Sequence, residues 1–410
     1  MSFLYLTGSK LNTFSRGTVS ISPSAASVSD AANLYDGDPG CPLLFGSAAA
    51  GYAKVDCNAL INPGFETSTL SGWTDADSGT GSPASTETTT AGEFRSGTKA
   101  LKLYSDTPAG TAARYQTISA RPGEYRKATF YIKGDATATV SLYLTNTVTG
   151  RSYNGSSWGS YAAAVSQAAS GSFVAVTVTY QVESYEACGT DSVSLTWRIS
   201  MAPSSGAATA YVDDCSDVPG ITFASIHGHN LSADPTVESS DDDSSWTTRA
   251  TMTRKRPAFW TSFAIVYARY WKIAWASAQT ATYIGEAVLG QYETSATSPQ
   301  WGLTESRDIP GVRTRGPSGR HAVYNYATDP PRGITMTFSA RTAAAARELS
   351  DSLWLRSGQG LYPAVIVPID TETGVYYGRL TAPHEQPRPF QGVYNCDLAL
   401  VGDPFPVVTT

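Results

Sequence analysis

Residues 56–75 read DCNALINPGFETSTLSGWTD, and this stretch decides how the chain is divided. An Asn-Pro-Gly turn signal at 62–64 is followed by Phe-Glu and then by Gly-Trp, as at the beginning of a domain. The residues before it end in an apolar alternation at Tyr52, Val55 and Cys57, which is typical of a strand. We therefore expect one domain to be interrupted after Cys57 and a second domain to begin there.

The inserted segment, residues 58–214, is rich in runs of period two. Such alternation predicts half-buried antiparallel strands, and so many of them predict a β-sandwich. The alternating apolar positions are Val140, Leu142 and Leu144; Val174, Val176, Val178, Tyr180 and Val182; and Val193, Leu195, Trp197, Ile199 and Met201.

The order of motifs in this segment resembles the carbohydrate-binding modules of the family 4/9/22 type. The similar stretches are LINPGFETSTLSGW, SGTKALKLYS, RPGEYRKATFYIKG and AYVDDC. The resemblance implies a jelly roll whose two ends lie close together, so that it can be spliced into a loop of another domain. It also implies a structural calcium held by Glu66 and by Asp213 or Asp214, since Ca²⁺ prefers oxygen ligands.

The flanking residues, 1–57 and 215–292, resemble the two halves of a discoidin-like, galactose-binding-like sandwich with an N-terminal arm. The similar stretches are NLYDGD, IHGHNL, SSDDDSSW, RYWKI and IGEAVLG. Trp271, Ile273 and Trp275 alternate as buried strand residues should.

Residues 293–410 show a different pattern, with strand-like runs, one helical run and further strand-like runs. This order predicts an α+β assembly domain. One amphipathic helix is expected in RTAAAARELSDSLWLRSGQG, residues 341–360, with Ala346, Leu349 and Leu353 on one stripe. The order of elements, with a YYGRL strand at 376–380, resembles tail-tube-like domains of tailed bacteriophages. The expected fold class is therefore mainly β, with two sandwiches, one inserted in the other, and a C-terminal α+β domain with one helix.

The amino-acid composition limits the classes of function that are expected. Charged residues make up 16% of the 410 residues and the net charge is −6, which does not suit a nucleic-acid binder. We expect no signal peptide and no membrane span. The five cysteines leave two alternatives open for Cys57 and Cys215, a disulfide or buried thiols.

Candidate glycan contacts lie in GRSYNGSSWGSY, residues 150–161. A Gly/Ser-rich loop buries aromatic side chains poorly, so Tyr153, Trp158 and Tyr161 are expected to be exposed for stacking on sugar rings. Trp73 and Trp197 are expected to pack in the core. No catalytic motif is recognisable, so we expect a protein that is not an enzyme.

Together these features predict a structural virion protein of a phage tail tip or baseplate. We expect it to be made in the host cytoplasm, to form a homo-oligomeric ring, with a hexamer favoured over a trimer, and to contact tail-tube and hub proteins. The sandwiches would bind host surface glycan or decorate the tail. The alternative is a non-catalytic, secreted or surface glycan-binding accessory protein of a bacterium.

Overall fold

The computed structural model describes most of the chain, including all but three positions between residues 50 and 255. The described residues are 3–7, 12–22, 31–35, 42–45, 50–67, 70–190, 192–255, 258–276, 283–294, 304–307, 311–315, 321–325, 332–340, 363–368, 376–380 and 394–402. They form mainly β-structure, as expected. The predicted helix over 341–360 lies outside these ranges.

The chain divides into two compact units, residues 58–220 and residues 1–57 with 221–410. The second boundary falls six residues after the position expected from the sequence. The reason is that strand Ala208–His229 continues to pair with its neighbour through Val218 and Pro219, opposite Lys127 and Arg126.

The 58–220 unit is a sandwich of two antiparallel sheets. One sheet has the strand order Ala84–Thr88, Ala100–Ser105, the first part of Ala208–His229, Tyr125–Gly134 and Val174–Gln181. The other has the order Trp158–Gly159, Ser152–Tyr153, Ala138–Asn146, Val193–Pro203, Gly110–Ala120 and Thr74–Asp75, with Val165–Ala168 and Ser78–Gly79 paired beside it. A short helix, Tyr185–Cys188, follows the first sheet's last strand.

The core between these sheets follows the sequence alternation closely. In strand Val193–Pro203 the five alternating apolar side chains are at most 1% exposed, and Val140, Leu142 and Leu144 are fully buried. Both sheets contribute to one cluster, which includes Leu101, Ile132, Leu142 and Trp197. Val174 departs from the pattern, since its side chain is 43% exposed.

In the other unit, strands from before and after the inserted residues pair directly. Tyr270–Trp275 lies against Gly51–Asp56, with Trp271 opposite Val55. The full sheet has the order Thr247–Thr251, Thr236–Ser240, Tyr270–Trp275, Gly51–Asp56 and Thr18–Ser22. Trp271, Ile273 and Trp275 are buried, as their alternation predicts.

A second group of strands packs on the same core, which includes Val55, Ile226, Phe259 and Trp271. This group consists of Leu43–Leu44, Tyr283–Gly290, the end of Ala208–His229, Ala258–Tyr267 and Thr253–Lys255. Two 3-10 helices also occur in this unit. Thr13–Ser15 comes before strand Thr18–Ser22, and Ala31–Leu34 comes before strand Leu43–Leu44.

The C-terminal residues form a seven-stranded sheet that includes the first strand of the chain. Phe3–Thr7 pairs with Pro363–Pro368, so the N-terminal arm belongs to this sheet. The order is Glu293–Thr294, Phe3–Thr7, Pro363–Pro368, Tyr376–Leu380, Tyr394–Gly402, Arg332–Ala340 and Thr304–Arg307. Gly311–Arg315 and His321–Asn325 form a separate hairpin.

The cysteine alternatives are resolved in favour of thiols. Cys57, Cys188 and Cys215 are buried and are not in disulfides. Burial raises the pKa of the Cys215 thiol well above its ordinary value, so the group is inert and packs as a small apolar side chain. Within the described ranges, no helix has both the length and the apolar character needed to cross a membrane.

Candidate functional site

The Gly/Ser-rich stretch at 150–161 is an ordered hairpin. Ser152–Tyr153 pairs with Trp158–Gly159, and the side chain of Asn154 accepts hydrogen bonds from the backbone N–H groups of Ser156 and Ser157 at 3.0 and 2.8 Å. This closes the turn locally, as asparagine often does. The hairpin sends its three aromatic side chains to two different places.

The expectation that Tyr153 is exposed is wrong, because its side chain is only 8% exposed. Its ring lies 5.6 Å from that of Trp158 and 6.0 Å from that of Tyr180, so the hairpin and the neighbouring sheet edge cover it. Burial raises the pKa of its hydroxyl, which donates to the carbonyl of Gly155 at 3.2 Å.

Trp158 is half-buried beside it. Its indole N–H donates to the carbonyl of Gln181 at 2.7 Å, at the end of an edge strand. The third ring, Tyr180, is held by a hydrogen bond from its hydroxyl to Asp217 at 2.7 Å, and Asp217 in turn accepts from the buried Arg126 guanidinium. These bonds fix the orientation of the aromatic wall that the hairpin presents.

This wall borders a cavity of about 380 Å³, which we call the hairpin pocket. Its volume is within the roughly 300–1,000 Å³ of small-molecule sites. Besides Tyr153 and Trp158, it is lined by Arg151, Ser156, Gln181, Val182, Glu183, Ser184 and Ala187.

Tyr161 lies elsewhere, on the outer face of the larger sheet, and is 60% exposed. Its ring stacks on Tyr143, with centroids 4.9 Å apart and planes 11° apart. Arg198 donates to its hydroxyl at 3.0 Å. The strand register places Arg198 directly between Tyr143 and Tyr115. We call Tyr115, Arg198, Tyr143 and Tyr161 the outer row.

Of the four residues in the outer row, the sequence predicts only Tyr161 as a glycan contact. Arg198 follows the buried Trp197, and Tyr143 lies between the buried Leu142 and Leu144. In an alternating strand, the residues between the buried positions face outward, and this is the sequence signal for the outer row. Only the strand register shows that these outward-facing residues are neighbours.

The three residues of the predicted calcium site all contact one loop, residues 95–99. Glu66 accepts from the backbone N–H of Thr98 at 3.0 Å, and Asp213 accepts from that of Arg95 at 2.7 Å. Asp214 accepts from the Arg95 guanidinium at 2.5 Å and from the Ser96 hydroxyl at 2.6 Å.

Local backbone geometry explains this convergence. Pairing of Ala208–His229 with Tyr125–Gly134 is irregular between Thr129 and Tyr131, which leaves an extra residue in the former strand. Asp214, in this bulge, has φ of 47°, and a bulge can aim consecutive side chains in a similar direction. Gly97 has φ of +62°, which favours glycine, and a Cβ there would displace the Glu66 carboxylate, whose Oε1 lies 2.0 Å from the Cβ position.

In this structure the oxygens of these three carboxylates are bound by protein donors. Their oxygens accept N–H and O–H donors, and the Arg95 guanidinium supplies positive charge next to Asp214. In the part of the chain that the structure describes, no group of three or more His, Cys, Asp or Glu side chains is arranged to hold a metal. Burial raises the pKa of Asp213 to about 6, which reflects a carboxylate with incomplete charge compensation.

Comparison with known proteins found partial structural similarities. A scan against protein-family models found no match. A search of curated proteins found none either. Among solved structures, TmCBM61 in complex with β-1,4-galactotriose is 20% identical with a TM-score of 0.29, over 40% of this chain and 98% of that one.

Two further similar structures are the CBM22-1 xylan-binding domain of Paenibacillus barcinonensis Xyn10C and the enzymatically active domain of bacteriophage CBA120 tailspike protein 4. The former is 15% identical with a TM-score of 0.27, over 38% of this chain and 90% of that chain. The latter is 16% identical with a TM-score of 0.31, over 40% of this chain but only 21% of that chain. The sandwich architecture of the 58–220 unit is established by its own strand pairing.

Proposed function

We propose that the 58–220 unit binds glycan through the outer row. The observation that carries the proposal is the exposed ring of Tyr161, which is fixed from below by Tyr143 and at its hydroxyl by Arg198. One ring face is thus supported by protein, while the side chain remains 60% exposed.

This arrangement suits sugar recognition for physical reasons. The C–H faces of a pyranose pack against aromatic rings, and a few polar groups at the rim bind its hydroxyls. Because Tyr161 is already stacked and hydrogen bonded, little side-chain entropy would be lost on binding. Arg198 offers further guanidinium N–H donors between two tyrosines, so the outer row combines stacking with hydrogen bonding along an open sheet face.

A glycan array with the full-length protein tests the proposal. The array should include galactan and xylan oligosaccharides and bacterial surface polysaccharides. We expect saturable binding to at least one glycan. Binding to none of them would contradict the proposal.

At the level of the whole protein, we propose a non-catalytic structural component of a phage tail tip or baseplate that displays this unit. The sequence resemblances support it, as does the pairing of Phe3–Thr7 with Pro363–Pro368, which ties the N-terminal arm to the proposed assembly domain. The protein would form a ring, preferably six-fold, with tail-tube and hub proteins as partners.

Electron microscopy directly tests the proposal that the protein is a component of the phage tail tip or baseplate. Antibody labelling of virions should mark the tail tip, and the purified protein should form rings. A monomeric protein that is missing from virions would contradict the tail proposal and favour a bacterial accessory protein, while leaving glycan binding intact.

Calcium at Glu66, Asp213 and Asp214 remains a prediction, and its binding would have to displace donors such as the Arg95 guanidinium. Thermal melting with calcium and with a chelator tests it. A lower melting temperature in chelator would support the site, and identical melting would contradict it.

A further inference from the structure

We infer that the hairpin pocket is a second carbohydrate site, which takes a single neutral sugar unit with adjacent hydroxyls, such as the end of a glycan chain. The inference shares the ligand class of the proposed function but uses other residues. The outer row is an open surface for the interior of a chain, whereas the hairpin pocket is a concave, partly open cavity of about 380 Å³.

Glu183 provides the principal acceptor. Its side chain is only 4% exposed, and Oε2 accepts from Asn146 at 2.8 Å and from the Thr149 hydroxyl. Oε1 has one long contact, 3.4 Å to Arg151 Nη1. The carboxylate is therefore held rigidly through one oxygen, while the other oxygen retains capacity to accept a ligand hydroxyl.

Arg151 provides the matching donor. Its side chain is 59% exposed, and its contact with Glu183 is at the outer limit of a hydrogen bond. A carboxylate and a guanidinium at this separation can bind two adjacent hydroxyls, one as donor and the other as acceptor.

Ser184, next to Glu183 in the chain, also lines the hairpin pocket. It is the N-cap residue of the helix Tyr185–Cys188, yet its side chain makes no capping hydrogen bond. Trp158 and Tyr153 form the aromatic part of the lining, and their positions are fixed by contacts with Gln181 and Tyr180. Polar groups and aromatic rings thus line one cavity of suitable size.

The charge of Glu183 selects between sugar classes. The Arg151 guanidinium already faces the Glu183 carboxylate. An acidic sugar would add a second carboxylate to this single cation, and such like-charge contacts are costly. A neutral sugar meets no such repulsion. The expected ligand is therefore a neutral sugar rather than a uronate.

Methyl glycosides are the probes that test this inference with the full-length protein. Methyl β-D-galactopyranoside, methyl β-D-glucopyranoside and methyl β-D-xylopyranoside serve as neutral sugars, and methyl β-D-glucuronide serves as the acidic comparator. The readout is the indole N–H signal of Trp158 in NMR titrations, assigned with Trp158→Phe.

We expect a saturable shift with at least one neutral glycoside, at least tenfold weaker in Arg151→Ala and in Glu183→Gln, and unchanged in Val174→Ala, a control at a 43% exposed side chain outside both proposed sites. Arg151 is exposed, so its variant decides the matter if Glu183→Gln fails to fold. No saturable shift with any neutral glycoside, a preference for the glucuronide, or full binding by Arg151→Ala would overturn the inference. The Trp158 signal reports on the hairpin pocket, whereas glycan titration of Tyr161→Ala reports on the outer row, so failure of one site is distinguishable from failure of the other.

Discussion

Trp197 and Arg198 are neighbours in one strand, yet they belong to two different regions of the 58–220 unit. Trp197 is fully buried, with its ring 5.7 Å from Trp73 and 6.2 Å from Phe130. Arg198 lies on the opposite face, in the outer row, where it contacts Tyr161. Both regions are rich in aromatic rings, so residue type alone does not separate folding from binding. The face of the strand on which a side chain lies does separate the two roles.

The largest expected effect is on stability and concerns the buried face of the strand. Trp197→Ala removes the central ring of the aromatic cluster and should lower the free energy of unfolding by about 3–5 kcal/mol. Chemical denaturation measures this. A loss below about 1 kcal/mol would show that Trp197 does not organise the core.

The next effect concerns Asp213, which is buried beside the more exposed Asp214. Burial raises the pKa of Asp213 from 3.8 to about 6, so the folded protein binds this proton more tightly than the unfolded chain. The stability that this group contributes is therefore greatest below about pH 3.8 and is lost as the pH rises from there through 6, a total fall of roughly 3 kcal/mol.

Denaturation between pH 4 and pH 8, in chelator, measures this dependence for the natural protein and for Asp213→Asn. The variant should lack this contribution to the fall in stability. Equal slopes in both proteins would mean that Asp213 does not titrate as described.

On the outer side, Arg198→Ala should weaken glycan binding about tenfold, because charged donors contribute roughly 1.5 kcal/mol or more to such contacts. Its free energy of unfolding should change far less than that of Trp197→Ala, since Arg198 is not in the core. Calorimetric titration and denaturation of the same sample give both values. A large stability loss with unchanged affinity would reverse the assigned roles.

The smallest expected effect is that of Tyr161→Phe. This substitution keeps the ring over Tyr143 but removes the hydroxyl that accepts from Arg198 at 3.0 Å. Affinity should fall about threefold, within the range of a single exposed hydrogen bond. A loss as large as that of Arg198→Ala would indicate that the hydroxyl, rather than the ring, contacts the ligand.

Much of the fold could be predicted from the sequence because it depends on local periodicity. The alternation of Val193–Pro203 and the packing of Trp73 and Trp197 are confirmed, since period two directly gives the buried face. The exposure of Tyr153 could not be predicted, because the ring that covers it, Tyr180, comes from a strand far along the chain.

The candidate sites depend even more on long-range register. Tyr115, Tyr143 and Arg198 become neighbours only when three strands pair in the observed register. Arg151 and Glu183 meet because the hairpin lies against the edge strand of the other sheet. No spacing in the sequence reveals such pairs, so the sequence could supply individual aromatic candidates but not the groups that surround them.

The most direct test of the central claim is a calorimetric titration with the glycan that binds best on the array. Three proteins are compared: the natural protein, Tyr161→Ala, and Val174→Ala as an exposed control. Val174 is 43% exposed and lies on the other sheet. We predict unchanged affinity for Val174→Ala and a loss of at least about tenfold for Tyr161→Ala, with all three proteins equally folded. Equal affinities in all three would contradict the claim that the outer row binds glycan.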